Sequence, residues 1–298
     1  MTDRRRLKSN GRVADISLKG EVEAARFVEP TVMRVAVPVA PLFDSVEPGR
    51  WRRERELVLH EVFNVLEDGG SWVFGYAARD GYVGYMCSSG LGPADMICPT
   101  HTVAARQSYL TSVPELKNKE EMIPISFGTA LEVVATHENA RWAEVTTLRA
   151  GAHEFKTTYT DYVPLAHLRP LAMPETDPVD VAERFIGTPY HWGGNSGFGI
   201  DCSGLVQAAC LACGIRCPGD SDLQEAELGE TLTEDAALQR GDLLFWKGHV
   251  AWVAGDNLLI HANAHHMAVA YEPMDEAIAR IKAQGDGAVT RRARLGGM

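Results

Sequence analysis

Gly199-Ile200-Asp201-Cys202-Ser203-Gly204 runs without interruption into the apolar, alanine-rich stretch Leu205-Val206-Gln207-Ala208-Ala209-Cys210. A glycine-flanked loop that ends on an acidic residue and passes into such a stretch predicts a helix capped by Asp201, with Cys202 in its first turn. There the unpaired N–H groups and the positive end of the macrodipole favour the thiolate over the thiol. Cys202 is therefore a candidate nucleophile if a histidine reaches it. The competing reading is a small buried apolar side chain in a helix.

Composition narrows the field. A chain of 298 residues can hold two or three domains and a sizeable core, and 45% hydrophobic with 23% charged residues is ordinary for a globular protein. The net charge of −11 argues against general nucleic-acid binding and against an anionic membrane surface. Residues 1–20 carry charges throughout and lack the apolar run of a secretory leader. No stretch approaches the roughly 20 apolar residues of a membrane span. The expectation is a cytoplasmic protein, without nucleic-acid or membrane partners, whose six cysteines are free thiols. Cys210 and Cys213 fall three apart in the apolar helix, the spacing of one buried face. With Cys217 they are read as packing residues, and no metal or cofactor is expected.

Along the chain, residues 1–28 are charged and weakly periodic and form an extension without assigned structure. Arg34 to Val39 alternates, and Pro38 predicts an edge strand. Strands at Glu56–Leu59, Val62–Leu66, Trp72–Tyr76 and Tyr82–Met86, joined by tight glycine turns, predict a small barrel over 29–95. Thr129–Val134, Arg141–Val145 and, after a longer hairpin, Asp161-Tyr162-Val163 repeat that order, so 96–171 reads as a second copy. Trp72 and Trp142 are read as core residues of the two.

Pro170, Pro174 and Pro178 punctuate a stiff linker from Arg169, and the third segment, 172–298, opens with a helix capped by Asp177. Its apolar stripe is Ala182, Phe185 and Ile186, and Gly187 ends it. The glycine-rich loop from Thr188 to Ile200 carries Tyr190-His191-Trp192. Beyond the cysteine helix lie a short helix from Pro218, strands at Leu243–Trp246, His249–Val253, Asn257–Asn263 and Met267–Tyr271, and a helix at Met274–Ala283. Arg291-Arg292 closes a polar tail.

In a hairpin with a three-residue loop centred on Gly255, His249 and His261 are directly opposite and share a face, whereas a two-residue turn would break this alignment by one place. Two such histidines downstream of a helix-N-terminal cysteine fit an activated nucleophile. His249 would deprotonate Cys202, His261 would fix the first imidazole's tautomer, and the Cys202 N–H would help hold an oxyanion. Ordinary sheet histidines, or a metal site, are the alternatives.

Gly187-Thr188-Pro189-Tyr190-His191-Trp192-Gly193-Gly194, Asp201-Cys202-Ser203-Gly204-Leu205-Val206, Arg240-Gly241-Asp242-Leu243-Leu244-Phe245-Trp246 and His249-Val250-Ala251 occur in that order. Together they resemble the NlpC-type cell-wall peptidases, papain-fold cysteine peptidases that act on peptidoglycan peptides. The strand–turn–Trp and Gly-Tyr-Val returns upstream resemble bacterial SH3-like barrels. The resemblance implies an α+β chain in which two small SH3-like barrels precede a papain-like peptidase domain. It implies Cys202 as nucleophile, His249 as base, His261 as third polar residue and Tyr190 as a substrate-binding neighbour. His191, between Tyr190 and Trp192, departs from the pattern at a position expected to vary.

Tandem barrels ahead of the peptidase resemble the dipeptidyl-peptidase VI branch, the γ-D-glutamyl-L-diamino acid endopeptidases. That branch implies a murein peptide substrate, L-Ala-γ-D-Glu linked to a diamino acid, with its free amine held by acidic and tyrosine groups. Asp201, Ser203 and Ser221 match by motif, and Glu61 and Tyr82 are the candidates from the first barrel. A wall-binding adaptor with an inactive peptidase domain, or an amidase or acyltransferase on the same fold, are the alternative functions.

Overall fold

The computed structural model describes residues 3–120, 122–150 and 158–296. The long hairpin connection expected before Asp161 falls on 151–157, outside the described residues, as do Met1 and Thr2 of the extension. Two compact units emerge, Met1–Ala172 and Met173–Met298.

The first unit is almost entirely β. In chain order its strands are β1 (Val13–Asp15), β2 (Arg26–Val28), β3 (Thr31–Val35), β4 (Val39–Phe43), β5 (Arg53–Val58), β6 (Val62–Asp68), β7 (Trp72–Ala77), β8 (Val83–Cys87) and β9 (Leu91–Pro93). There follow β10 (His101–Val103), β11 (Gln107–Leu110), β12 (Ile123–Ser126), β13 (Ala130–His137), β14 (Trp142–Leu148), β15 (Thr158–Pro164) and β16 (Leu168–Pro170). One sheet runs β8-β7-β6-β3-β9, extended by β4 and β5, and the other runs β15-β14-β13-β10-β16. The two orders are the same, strand for strand, and Trp72 and Trp142 each open the middle strand of a meander. Separate apolar clusters fill them, one around Leu42, Leu57 and Phe63, the other around Leu131, Ala143 and Val163.

The extension is structured: Val13 is fully buried against Leu66, Phe74, Tyr76 and Val83, and the Tyr76 hydroxyl donates to Asp15 at 2.9 Å. A three-residue strand is too short to show periodicity, yet burying one valine is worth about 2 kcal/mol. The expected edge strand is two strands, because Pro38 cannot donate and falls in the break between β3 and β4. β3 is interior, between β6 and β9. Trp142 is core, but Trp72 is half-buried and stacks edge-on with Phe43 and the exposed Trp51. The linker starts later than Arg169, since Arg169 and Pro170 pair with β10.

His60 ties the two meanders together. Its ring is completely buried at a left-handed backbone position (φ 67°). Leu148 N–H can only donate and meets Nε2 at 3.0 Å, so the ring's proton sits on Nδ1, which donates to Ala130 O at 2.7 Å. Burial pushes its pKa down to about 4.

The second unit consists of α1 (Pro178–Glu183), β17 (Asn195–Ser196), β18 (Gly199–Ile200), α2 (Cys202–Ala212), α3 (Ser221–Glu227), β19 (Glu230–Thr231), β20 (Asp242–Trp246), β21 (His249–Gly255), β22 (Leu258–Asn263), β23 (Ala268–Pro273), α4 (Met274–Gln284) and β24 (Arg291–Arg294). Its sheet runs β19-β24-β20-β21-β22-β23, and every pair in it is antiparallel. α1 and α2 pack on β21 and β22. α4 packs against Leu244, Ala251, Val253 and Leu259. α1 stops at Glu183, so of the expected stripe Ala182 lies in the helix and Phe185 beyond it, both buried, while Ile186 is exposed. The expected polar tail is a strand: β24 pairs with β20, and Arg294 forks onto the fully buried Asp242 carboxylate with both contacts at 2.8 Å. No helix among the described residues is long and apolar enough to cross a membrane.

An unfolded histidine binds a proton near pH 6.5, whereas folded His60 stays neutral to about 4. The stability it contributes is present above pH 6.5 and is lost as pH falls from there towards 4, about 3 kcal/mol in all. Hydrogen exchange at the Leu148 amide, corrected for its intrinsic rate, should lose protection across that window in the native chain. In His60→Gln that pH dependence should be absent. Equal pH dependence in the two proteins would contradict the assignment.

Candidate active site

Asp201 builds the start of α2. Its Oδ1 accepts from Gly204 N–H at 2.6 Å and from the Ser203 hydroxyl at 2.9 Å, while its Oδ2 accepts from Gly193 N–H at 2.9 Å. One carboxylate thus caps the helix and fastens the glycine loop to it. Gly204 permits this closeness: a Cβ there would lie 2.4 Å from Gly194 O. Cys202 is the first residue of α2 and is buried. Tyr190, half-buried, is bridged to Ile200 by the loop backbone. Burial pushes its pKa up, and the nearby Cys202 and Asp201 add to the rise. Ser221 opens α3, which is held to α2 by Gln224 Nε2 donating to Ser203 O at 2.9 Å.

The histidine hairpin differs in register from the expectation. Its turn is the two residues Asp256 and Asn257, both at positive φ, with a bulge between Val253 and Gly255. The pairs Trp252↔Ile260 and Val253↔Leu259, continued, set His261 opposite Ala251 and not His249. The displacement is two residues, so the histidines remain on one face as diagonal neighbours. His249 Nε2 and His261 Nδ1 are 2.8 Å apart.

The diagonal extends to a residue the sequence reading missed. His261 Nε2 lies 3.0 Å from Glu272 Oε2 on β23, and Arg280 of α4 forks onto the same carboxylate at 2.8 and 2.7 Å. Burial alone would raise the Glu272 carboxyl, but hydrogen bonds from Arg280 and His261 outweigh it and hold it well below the usual carboxylate range. Being ionised, Glu272 can only accept. His261 therefore donates from Nε2 and accepts at Nδ1, His249 donates from Nε2, and His249 Nδ1 is left with its lone pair. Burial, then the neighbouring His261, hold His249 below the ordinary histidine range, and burial does the same to His261 against the pull of Glu272. A signal for Glu272 existed: it is the single carboxylate in the stretch Ala268–Pro273, on the histidine face.

His249 and Tyr190 share the wall of a 410 Å³ cleft. Thus Tyr190, Asp201, Cys202 and Ser203 gather at the loop–helix junction, and His249 and His261 at the neighbouring end of the sheet. Glu61 and Tyr82 belong to the first unit. Glu61 pairs with Arg79 at 2.8 Å and accepts from Val58 N–H, and Tyr82 is packed in that unit's core. Cys210 is buried in α2 and Cys217 lies against Gln224. No cluster of three or more His, Cys, Asp or Glu among the described residues is arranged to hold a metal.

A helix-N-terminal cysteine packed on an antiparallel sheet with a carboxylate-anchored histidine pair defines a papain-like cysteine peptidase fold. The model of the NlpC/P60 family matches residues 187–285, and that of the bacterial dipeptidyl-peptidase Sh3 domain matches 46–91. Dipeptidyl-peptidase 6 of Lysinibacillus sphaericus is 42% identical over 98 residues, 33% of this chain and 36% of that protein, so the match spans about a third of that relative's length. The γ-D-glutamyl-L-lysine dipeptidyl-peptidase of Bacillus subtilis is 31% identical over 228 residues, 70% of this chain and 72% of that one. An NlpC/P60 family protein from Bacillus cereus has the same fold, with a TM-score of 0.71 at 20% identity over 89% of this chain and 99% of that one. The chain belongs to the NlpC/P60 family of cysteine peptidases.

Removing the anchor tests the tautomer chain. Glu272→Ala leaves the buried His261 Nε2–H and the Arg280 guanidinium without their carboxylate and should cost about 3 kcal/mol. Long-range ¹H–¹⁵N spectra of the native protein at pH 7 should show both His249 and His261 protonated on Nε2. A His249 ring protonated on Nδ1 would contradict the chain.

Proposed function

We propose that the chain is a cysteine endopeptidase that hydrolyses the bond between γ-D-glutamate and a diamino acid in murein peptides with a free N-terminal L-alanine. The observation that carries the chemistry is the relay Glu272–His261–His249, which ends in a lone pair at His249 Nδ1 in a cleft wall shared with Tyr190. The specificity is supported by the likeness, across 70% of the chain, to a relative named for γ-D-glutamyl-L-lysine cleavage.

In this reading His249 Nδ1 takes the Cys202 thiol proton, and the thiolate attacks the γ-carbonyl carbon of D-glutamate. The negative charge on the tetrahedral oxygen is met by first-turn N–H groups of α2, that of Cys202 among them. Collapse breaks the C–N bond as His249 returns the proton to the leaving amine, which gives a thioester on Cys202. Water, deprotonated by His249, then releases L-Ala-D-Glu. His261 and Glu272 are positioning residues that hold the His249 ring in the competent tautomer. Asp201 supplies the negative charge that a buried substrate ammonium requires, with Ser203, Ser221 and the Tyr190 hydroxyl as its polar neighbours. The proposed site of action is the cytoplasm, on released wall peptides: none of the six cysteines is in a disulfide, as suits a reducing compartment.

Native protein should release L-Ala-D-Glu from L-Ala-γ-D-Glu-L-Lys, Cys202→Ala should release none, and acetylating the substrate's amine should cost at least about tenfold in kcat/KM, a loss of ~1.4 kcal/mol. Undiminished turnover in Cys202→Ala would overturn the nucleophile, and indifference to acetylation the amine site. Because His249 is held below the ordinary histidine range, it remains a neutral base in mild acid. The acid limb of kcat/KM should have its midpoint below pH 6.5, and a midpoint above that value would contradict the assignment.

A further inference from the structure

Gln224 is completely buried, and its side-chain amide stands behind the start of α2. Nε2 donates to Ser203 O and to Pro218 O, each at 2.9 Å, and lies 3.4 Å from Cys217 Sγ. Both carbonyls can only accept, so the orientation of the amide is fixed. The Ser203 carbonyl belongs to the same peptide group as the Gly204 N–H, which donates to Asp201 Oδ1. A line of hydrogen bonds therefore runs from Gln224 through the first-turn peptide of α2 to the capping carboxylate. Bonds joined through one peptide group polarise it and strengthen each other. α3 has seven residues, too few for a helix to be stable alone, so its position is set by what it is bonded to. Arg291 of β24 holds its far end by donating to Leu228 O and Gly229 O, both at 2.8 Å. Gln224 joins its near side to α2.

Ser221 opens α3 three residues before Gln224, a spacing that puts both on one face, and both are buried. We propose that Gln224 is a positioning residue. By fixing α3 to the Ser203–Gly204 peptide it sets Ser221 against Asp201 and Ser203, and with them the preference for a free substrate amine. This rests on the proposed function, in which those three residues receive the ammonium. Gln224 acts through them and not on the substrate. Without its donors the first-turn peptide is held from the Asp201 side alone, and Ser221 loses its register with Asp201. Cys202 stays on α2, so the loss falls on recognition of the amine more than on the chemical step. Gln207 provides a contrast. It is equally buried, donates to Cys217 O at 3.1 Å and accepts from Asn195 Nδ2 at 3.2 Å. Gln207→Met thus removes a buried amide of the same kind and leaves the bond from Gln224 to Ser203 in place.

Gly204 reports the hydrogen-bond line directly. In ¹H–¹⁵N spectra of the full-length chain its amide proton should move upfield in Gln224→Met, as the bond to Asp201 weakens, and stay near its native position in Gln207→Met. No shift in Gln224→Met, or equal shifts in the two variants, overturns the positioning role. Steady-state rates are compared on L-Ala-γ-D-Glu-L-Lys and on its N-acetyl form. Gln224→Met should lower the ratio of the two kcat/KM values at least about fivefold, through a higher KM for the free amine. Gln207→Met should keep the native ratio. Equal losses on both peptides in Gln224→Met mark a purely structural role and overturn the proposal. Gln224→Glu decides the matter if the methionine variant does not fold. A carboxyl there donates only when protonated, so its ratio, set against native protein at each pH, should recover as pH falls, and a flat profile overturns the role. A native protein indifferent to acetylation contradicts the amine site itself, whereas native discrimination that survives in Gln224→Met contradicts only the positioning by Gln224.

Discussion

A carboxylate buried at Glu272 is tolerable only because two side chains donate to it, and one of them is the end of the histidine relay. Arg280 reaches it from α4 and His261 from β22, so the contact joins the helix to the sheet at the edge of the cleft. Its charge decides which nitrogen of His261 bears the proton, and hence which nitrogen of His249 does not. A chemical property of His249 is in this way set by an ion pair that also joins α4 to the sheet.

The same economy governs the other side of the site. Asp201 is at once the cap of α2, the partner of Ser203 and the clasp on Gly193. A carboxylate with these three tasks keeps the cysteine at the helix's positive end and brings Tyr190 near it. Its negative charge would favour a substrate ammonium beside the nucleophile, as the proposed recognition of a free amine requires. Arg240 does comparable work further out. It meets Asp177 at 2.7 Å and Glu183 at 3.0 Å at the two ends of α1 and also donates to Ala254 O, which ties that helix to the bulged hairpin.

How much of this was legible in the sequence depended on whether a feature is local. The caps at Asp177 and Asp201, the glycine turns and the repeated meander are encoded over a few residues and emerge as read. The register of the histidine hairpin is a compromise between a bulge and a two-residue turn. Counting from Gly255 therefore missed the pairing, while the side-chain period of two preserved the shared face. β1 and β24 escaped because three or four residues show no period, and what holds them is distant: Val13 sits among Leu66 and Phe74, and Arg294 on Asp242. Glu272 and Arg280 escaped for the same reason. Each looks like a surface charge until the fold brings the two together.

In the proposed reaction Cys202 alone among six cysteines forms a thioester with the γ-glutamyl group. Acid-quenching the full chain within milliseconds of mixing with L-Ala-γ-D-Glu-L-Lys, followed by peptide mapping in a mass spectrometer, tests it directly. An alanyl-glutamyl adduct is expected on the peptide containing Cys202, removed by hydroxylamine. An adduct on Cys210, Cys213 or Cys217 during productive turnover, or turnover with no adduct on any cysteine under conditions that make deacylation slow, would contradict it.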